Sequence, residues 1–192
     1  MNLPNLLTII RMALVPVFIV FFYSGLNGAL PYSLVLAFLV FLIASATDFV
    51  DGYIARKHNL VTNFGKLMDP LADKVLTTAA FIVFVDAQVV PAWMVIVILA
   101  REFIITGLRG VAASEGVIIA AELSGKLKTV FQMAAICLIL LGLAIESNPP
   151  FAFIVILSVT GIGQICLWIA VALTVYSGVE YLWKGRKLLN MK

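Results

Sequence analysis

Long apolar stretches, parted only by short polar or turn-forming segments, run through all 192 residues of the chain. They lie at Leu6–Phe22, Leu34–Thr47, Pro70–Val85, from Pro91 onward, at Thr129–Ile145 and at Phe151–Val175. An apolar stretch of roughly 20 residues matches the hydrocarbon core of a bilayer, and a backbone inside lipid must satisfy its own hydrogen bonds as a helix or a closed barrel. Stretches of this length predict helices. With 63% of residues hydrophobic and 12% charged, the chain is far from the roughly one-quarter charge of soluble domains. The expected fold is all-α: a polytopic membrane protein with six transmembrane helices, forming one integral membrane domain over residues 1–192.

The connections alternate in charge. Arg56, Lys57, Lys66 and Lys74 surround the second connection, Arg109, Lys126 and Lys128 the fourth, and Lys184, Arg186, Lys187 and Lys192 close the chain. The connections near Gly25, Asp86 and Glu146 carry no Lys or Arg. Basic loops stay on the cytoplasmic side, so both termini and the even-numbered connections are expected there, in a multi-pass protein of the plasma membrane. Basic charge at a membrane surface is an attraction to anionic lipid, and nucleic-acid binding is not expected. The two cysteines, Cys137 and Cys166, lie inside apolar runs and read as packing residues.

Four of the ten carboxylates are concentrated in DFVDGYIARKHNLVTNFGKLMDPLAD, residues 48–73. Asp48 and Asp51 are three apart and Asp69 and Asp73 four apart, so each pair shares a helix face. The sequence predicts that Asp69 caps a third helix with Pro70 at its first position. Carboxylates gathered at one place repel one another and need cations. An all-oxygen donor set suits hard ions, Mg²⁺ or Mn²⁺, and two divalent ions balance four carboxylates while still presenting positive field to a diphosphate. Singly, Asp69 also reads as a helix cap, and Asp48 or Asp51 as a partner of Arg56 or Lys57. A different class of function for such carboxylates is cation transport, which would string them through the bilayer depth.

The spacing Asp48-x-x-Asp51-Gly52-x-x-Ala55-Arg56, eight residues, Gly65, three residues, Asp69, three residues, Asp73 resembles the signature of the CDP-alcohol phosphotransferases. The resemblance implies a six-spanning, homodimeric bacterial membrane enzyme that moves a phosphatidyl or similar group from a CDP-linked donor to an alcohol and releases CMP. It also implies that Asp48, Asp51, Asp69 and Asp73 hold the metal ions and that Asp73 is the general base. Asp48, Asp51, Gly52, Ala55, Arg56, Thr62 and Gly65 would lie against the CDP donor. NLPNLLTIIR at 2–11, REFIITGLRG at 101–110 and GKLKT at 125–129 are similar to members that use CDP-diacylglycerol as donor and glycerol 3-phosphate as acceptor. Inositol phosphate, serine or phosphatidylglycerol are alternative acceptors within the family.

Glycerol 3-phosphate needs a cationic pocket. Arg109 and Lys126 are the candidates, with a membrane-anchoring role as the alternative for each. Asn5, Thr8 and Arg11 are candidates to face the donor headgroup, with an ordinary first-turn helix role as the alternative for Asn5 and Thr8. Arg101 and Glu102 fall within a span and must point inward, as a buried pair or as a substrate contact. His58 reads as a solvated loop residue.

Overall fold

The computed structural model describes the backbone of residues 3–57, 63–114, 123–146 and 152–189. It describes side chains over 6–47, 71–112 apart from Asp73, 123–146 and 159–183. Six helices follow one another: α1 (Leu3–Leu26), α2 (Ser33–Lys57), α3 (Asn63–Asp86), α4 (Ala92–Ser114), α5 (Leu123–Glu146) and α6 (Ala152–Leu189). No strand occurs among the described residues.

The helices end where the backbone is turned by local chemistry. After α1, Gly28 takes φ 64° and Tyr32 φ 60°, the left-handed conformation that lets a chain leave a helix. The last carbonyls of α1 are met by returning amides, Asn27 N to Tyr23 O at 3.0 Å and Ala29 N to Ser24 O at 2.9 Å. Ser33 Oγ donates to Leu30 O at 2.7 Å at the start of α2. The α3–α4 connection repeats the device with Gln88 at φ 58°, and Gln164 of α6 donates to Val89 O at 2.7 Å, tying this turn to the bundle.

Two predicted starts move. Asp69 and Pro70 were expected to open the third helix, but α3 begins at Asn63, so both stand inside it. A bundle of helices re-satisfies the carbonyl that a proline frees, which is why Pro70, like Pro16 inside α1, is accommodated. The fifth apolar stretch was expected from Thr129, but α5 begins at Leu123, so residues 123–128 form its first turns.

Six helices are present as expected, but among the described residues three are long and apolar enough to cross a membrane: Leu6–Leu26, Leu123–Glu146 and Val159–Trp183. In α2 the described apolar part is Ser33–Thr47. Arg101, Glu102 and Arg109 interrupt α4, and Asp73 and Lys74 interrupt α3.

The core is aromatic between α1, α2 and α3 and aliphatic along α5 and α6. Phe18 meets Phe22 and Phe41 at centroid distances of 6.1 and 5.9 Å, and Phe22 meets Phe84 at 5.9 Å. Ile136, Ile139, Leu140 and Leu167 are buried along the α5–α6 pair, the most extensive helix contact in the fold. Cys137 and Cys166 are half-buried against this core, as packing residues should be. Exposed Val20, Ile43, Ile96, Phe103, Val130 and Ile165 face outward, as in a helix bundle whose solvent is lipid.

The contacts also fix direction. Phe18 against Phe41 and Gly25 against Leu34 make α1 and α2 antiparallel. Phe22 against Phe84 and Tyr23 Oη donating to Asp86 at 2.8 Å make α1 and α3 parallel. The start of α1, the end of α2 and the start of α3 therefore share one end of the bundle.

Candidate active site

The signature is divided between two helix ends. Asp48, Asp51, Gly52, Ala55 and Arg56 lie on the last turns of α2, and Gly65, Asp69 and Asp73 on the first turns of α3. Their side chains are outside the described residues, as are Asn5's and the whole of Thr62 and His58. The backbone alone gathers the four aspartates at the common end of an antiparallel helix pair. The donor set, four carboxylates and no sulfur or imidazole, fits hard divalent cations.

Around this end the described side chains are polar and enclosed. Thr8 and Arg11 on α1 are both completely buried. Carried along α1, the register of the aromatic contacts sets Thr8 and Arg11 level with the Asp48–Asp51 turn of α2 and the Asp69–Asp73 turn of α3. A fully enclosed guanidinium inside an apolar bundle is expensive unless it serves ionic groups. Thr8 thus stands on the inward face, as its donor-side assignment requires.

Arg109 and Lys126 are both exposed and lie at the same end of the bundle. Arg109 Nη2 donates to Tyr181 Oη at 2.5 Å, and its guanidinium stands over the Tyr181 ring at 5.2 Å. Arg101 stands over the same ring at 5.5 Å. Two arginines on α4 are thus held by one tyrosine of α6, a cation–π arrangement that fixes long side chains without neutralising them. Space for Arg101 comes from glycine: a Cβ on Gly125 would lie 3.3 Å from Arg101 Nη2, and one on Gly178 3.3 Å from its Cγ. Gly125 precedes Lys126, so Arg101, Arg109, Tyr181 and the Lys126 turn converge. Ser124 Oγ donates to Glu180 at 2.9 Å and joins α5 to α6 here.

Arg101 and Glu102 form part of a larger ionic cluster. Glu102 pairs with Lys128 of α5, with Lys74 of α3 at 3.9 Å and with its neighbour Arg101 at 3.5 Å. Lys74 also donates to Thr106 Oγ1. Arg101 and Glu102 are thus paired and partly buried. Tyr181 and Lys74 were missed as participants. Tyr181 resembles any other aromatic of an apolar helix, though it stands beside Glu180 and just before the basic end. Lys74 was read only as topological charge.

A small cleft of about 50 Å³ lies between α3, α4 and α5, lined by Lys74, Glu102, Lys128 and Gln132 among others. A larger, almost wholly apolar groove of about 440 Å³ lies along α1 and α3, lined by Val15, Ile19, Leu71, Val75 and Ile82, with Lys74 at its margin. Apolar and charged surfaces thus adjoin beside the aspartate-bearing turn.

Comparison with known proteins agrees with this geometry. A protein of Bacillus subtilis named CDP-diacylglycerol--glycerol-3-phosphate 3-phosphatidyltransferase is 44% identical over 98% of this chain and 99% of its own length. Proteins of the same name from Rickettsia bellii and Haemophilus influenzae are 44% and 38% identical, over 94% and 100% of this chain and 93% and 98% of their own. The CDP-alcohol phosphatidyltransferase family profile matches residues 1–176, which takes in the aspartate signature, Arg109 and Lys126. By that match, and by likeness that runs almost end to end, the chain belongs to the CDP-alcohol phosphatidyltransferase family.

Proposed function

We propose that the protein transfers a phosphatidyl group from CDP-diacylglycerol to sn-glycerol 3-phosphate, giving phosphatidylglycerophosphate and CMP in anionic phospholipid synthesis. The observation that carries this reading is near-full-length likeness to several relatives that share the name CDP-diacylglycerol--glycerol-3-phosphate 3-phosphatidyltransferase. The clustering of four aspartates and several cations at one end of the bundle supports it.

In this reading Asp73 takes the proton of the acceptor hydroxyl. The hydroxyl oxygen bonds to the phosphorus that bears diacylglycerol, the bond to the bridging oxygen breaks, and CMP leaves. Asp48, Asp51, Asp69 and Asp73 hold two divalent ions, Mg²⁺ or Mn²⁺, which when bound offset charge on the diphosphate. Gly52, Ala55, Arg56, Thr62 and Gly65 receive the cytidine diphosphate, with Asn5 and Thr8 beside it. Arg109 and Lys126 bind the acceptor phosphate, Arg109 presented by Tyr181. The six helices all cross the plasma membrane, both termini and the site face the cytoplasm, and the protein works as a homodimer.

The test is CMP release by purified protein supplied with CDP-diacylglycerol, Mg²⁺ and one candidate acceptor at a time. Release with glycerol 3-phosphate alone is expected, lost on chelation, restored by Mg²⁺ or Mn²⁺, and absent from Asp73→Asn. Release with a different alcohol would move the acceptor assignment. Undiminished release after chelation would remove the metal ions, and turnover by Asp73→Asn would remove the base.

A further inference from the structure

We infer that Glu102 is a positioning residue: its ionic clamp across α3, α4 and α5 sets the distance between the aspartate-bearing turn and the acceptor-side cations. The inference rests on the proposed function for what is being positioned, though not for the clamp itself.

The geometry is that of a tie between two parts. The Asp69–Asp73 turn belongs to α3, which packs chiefly on α1. Arg109 belongs to α4, held by Tyr181 of α6, and Lys126 to α5, which packs chiefly on α6. Helix α3 itself touches α4 and α5 far less than it touches α1, while α2 also packs on α5. Beside the aspartates, polar contacts join α3 to α4 and α5. Lys74, the residue after Asp73, reaches Glu102 at 3.9 Å and donates to Thr106, both on α4. Lys128 of α5 approaches the other carboxylate oxygen. Thr106 Oγ1 donates in turn to Glu102 O at 2.7 Å, which fixes the acceptor of Lys74 on its own helix.

The Lys128 side chain is only 2% exposed, so taking away the carboxylate that it pairs with costs a buried cation a charged partner. The described link from Glu102 to the aspartate-bearing turn runs through Lys74, the residue after Asp73. In-line transfer is steep in distance: a displacement of about 1 Å costs on the order of 100-fold in rate.

The experiment compares wild type, Glu102→Gln, Glu102→Asp and Thr106→Val as purified protein in lipid or detergent. It follows CMP release at varied donor and acceptor, and amide hydrogen exchange helix by helix. Glu102→Gln should lower kcat by about 10- to 100-fold with the KM for each substrate little changed, the pattern of an interaction felt in the transition state. Exchange should rise over residues 71–78 while α1 and α2 keep wild-type protection. Glu102→Asp, which keeps the charge, should recover part of the rate, and Thr106→Val should lower it less than Glu102→Gln does. A wild-type kcat in Glu102→Gln overturns the inference, as does a loss of rate with exchange raised equally in every helix. If Glu102→Gln does not fold, Thr106→Val decides: local loosening over 71–78 with a lower kcat supports the clamp, and unchanged exchange and rate overturn it. Wild-type protein releasing no CMP with any acceptor would fail the proposed function instead, and local exchange would then decide the clamp alone.

Discussion

Tyr181 shows how one side chain can serve two charges. Its hydroxyl accepts from Arg109 at 2.5 Å and its ring lies under both Arg101 and Arg109. Removing only the hydroxyl keeps the ring, so Tyr181→Phe should raise the KM for glycerol 3-phosphate by about 3- to 10-fold with kcat near wild type, the size expected from a net hydrogen-bond contribution of about 1 kcal/mol. Tyr181→Ala, which also removes the ring, should raise it further; steady-state kinetics of CMP release checks both. An unchanged KM in both variants would take Arg109 out of the acceptor site. None of this was legible in the sequence, since Tyr181 and Arg109 are joined only by the packing of α6 on α4. The aspartates were the opposite case, because their 3- and 4-residue spacings are local and helical geometry converts such spacing directly into a shared face.

At the scale of elements, the α5–α6 pair is built on absent side chains. A Cβ on Gly163 would meet Ile139 N at 3.1 Å and Leu138 Cβ at 3.1 Å, and one on Gly142 would meet Thr160 N at 3.2 Å. Neighbouring backbone cannot give way as a flexible side chain can, so these glycines let two helices approach closely where no water drives them together. Gly142→Leu or Gly163→Leu should each cost about 1–3 kcal/mol, read as a lower thermal midpoint in detergent. Gly161→Leu, whose Cβ position is open, should leave that midpoint nearly unchanged. Element number and order were legible, because apolar runs and turn residues are local signals. The start of α3 was not, because a proline after an aspartate imitates a helix start while the true start lies two turns earlier. The clamp was not legible either: Lys74, Glu102 and Lys128 are far apart in sequence, and only the bundle brings them together.

For the molecule as a whole, the proposed topology makes a directional statement. With Cys137 and Cys166 first replaced by serine, a single cysteine at Gly28 or Gln88 should react with an impermeant maleimide from outside intact cells. One at Leu123 should react only after the membrane is opened. Labelling of Leu123→Cys from outside would invert the protein and place the aspartates on the wrong side for a cytoplasmic acceptor. The charge alternation of the connections carried this orientation from the start, whereas it could not say which helices are apolar enough to span on their own. Between α3 and α4, the described charges Lys74 and Glu102 face one another.

The length of α6 has its own implication. A rod of 38 residues extends about 57 Å, close to twice the roughly 30 Å of hydrocarbon that a membrane offers. Standing upright at the Tyr181 end, it would rise above the headgroups like a post beside a doorway. A water-borne reactant would then have to come in from the sides that the post leaves clear, while a reactant dissolved in the membrane would slide in beneath it.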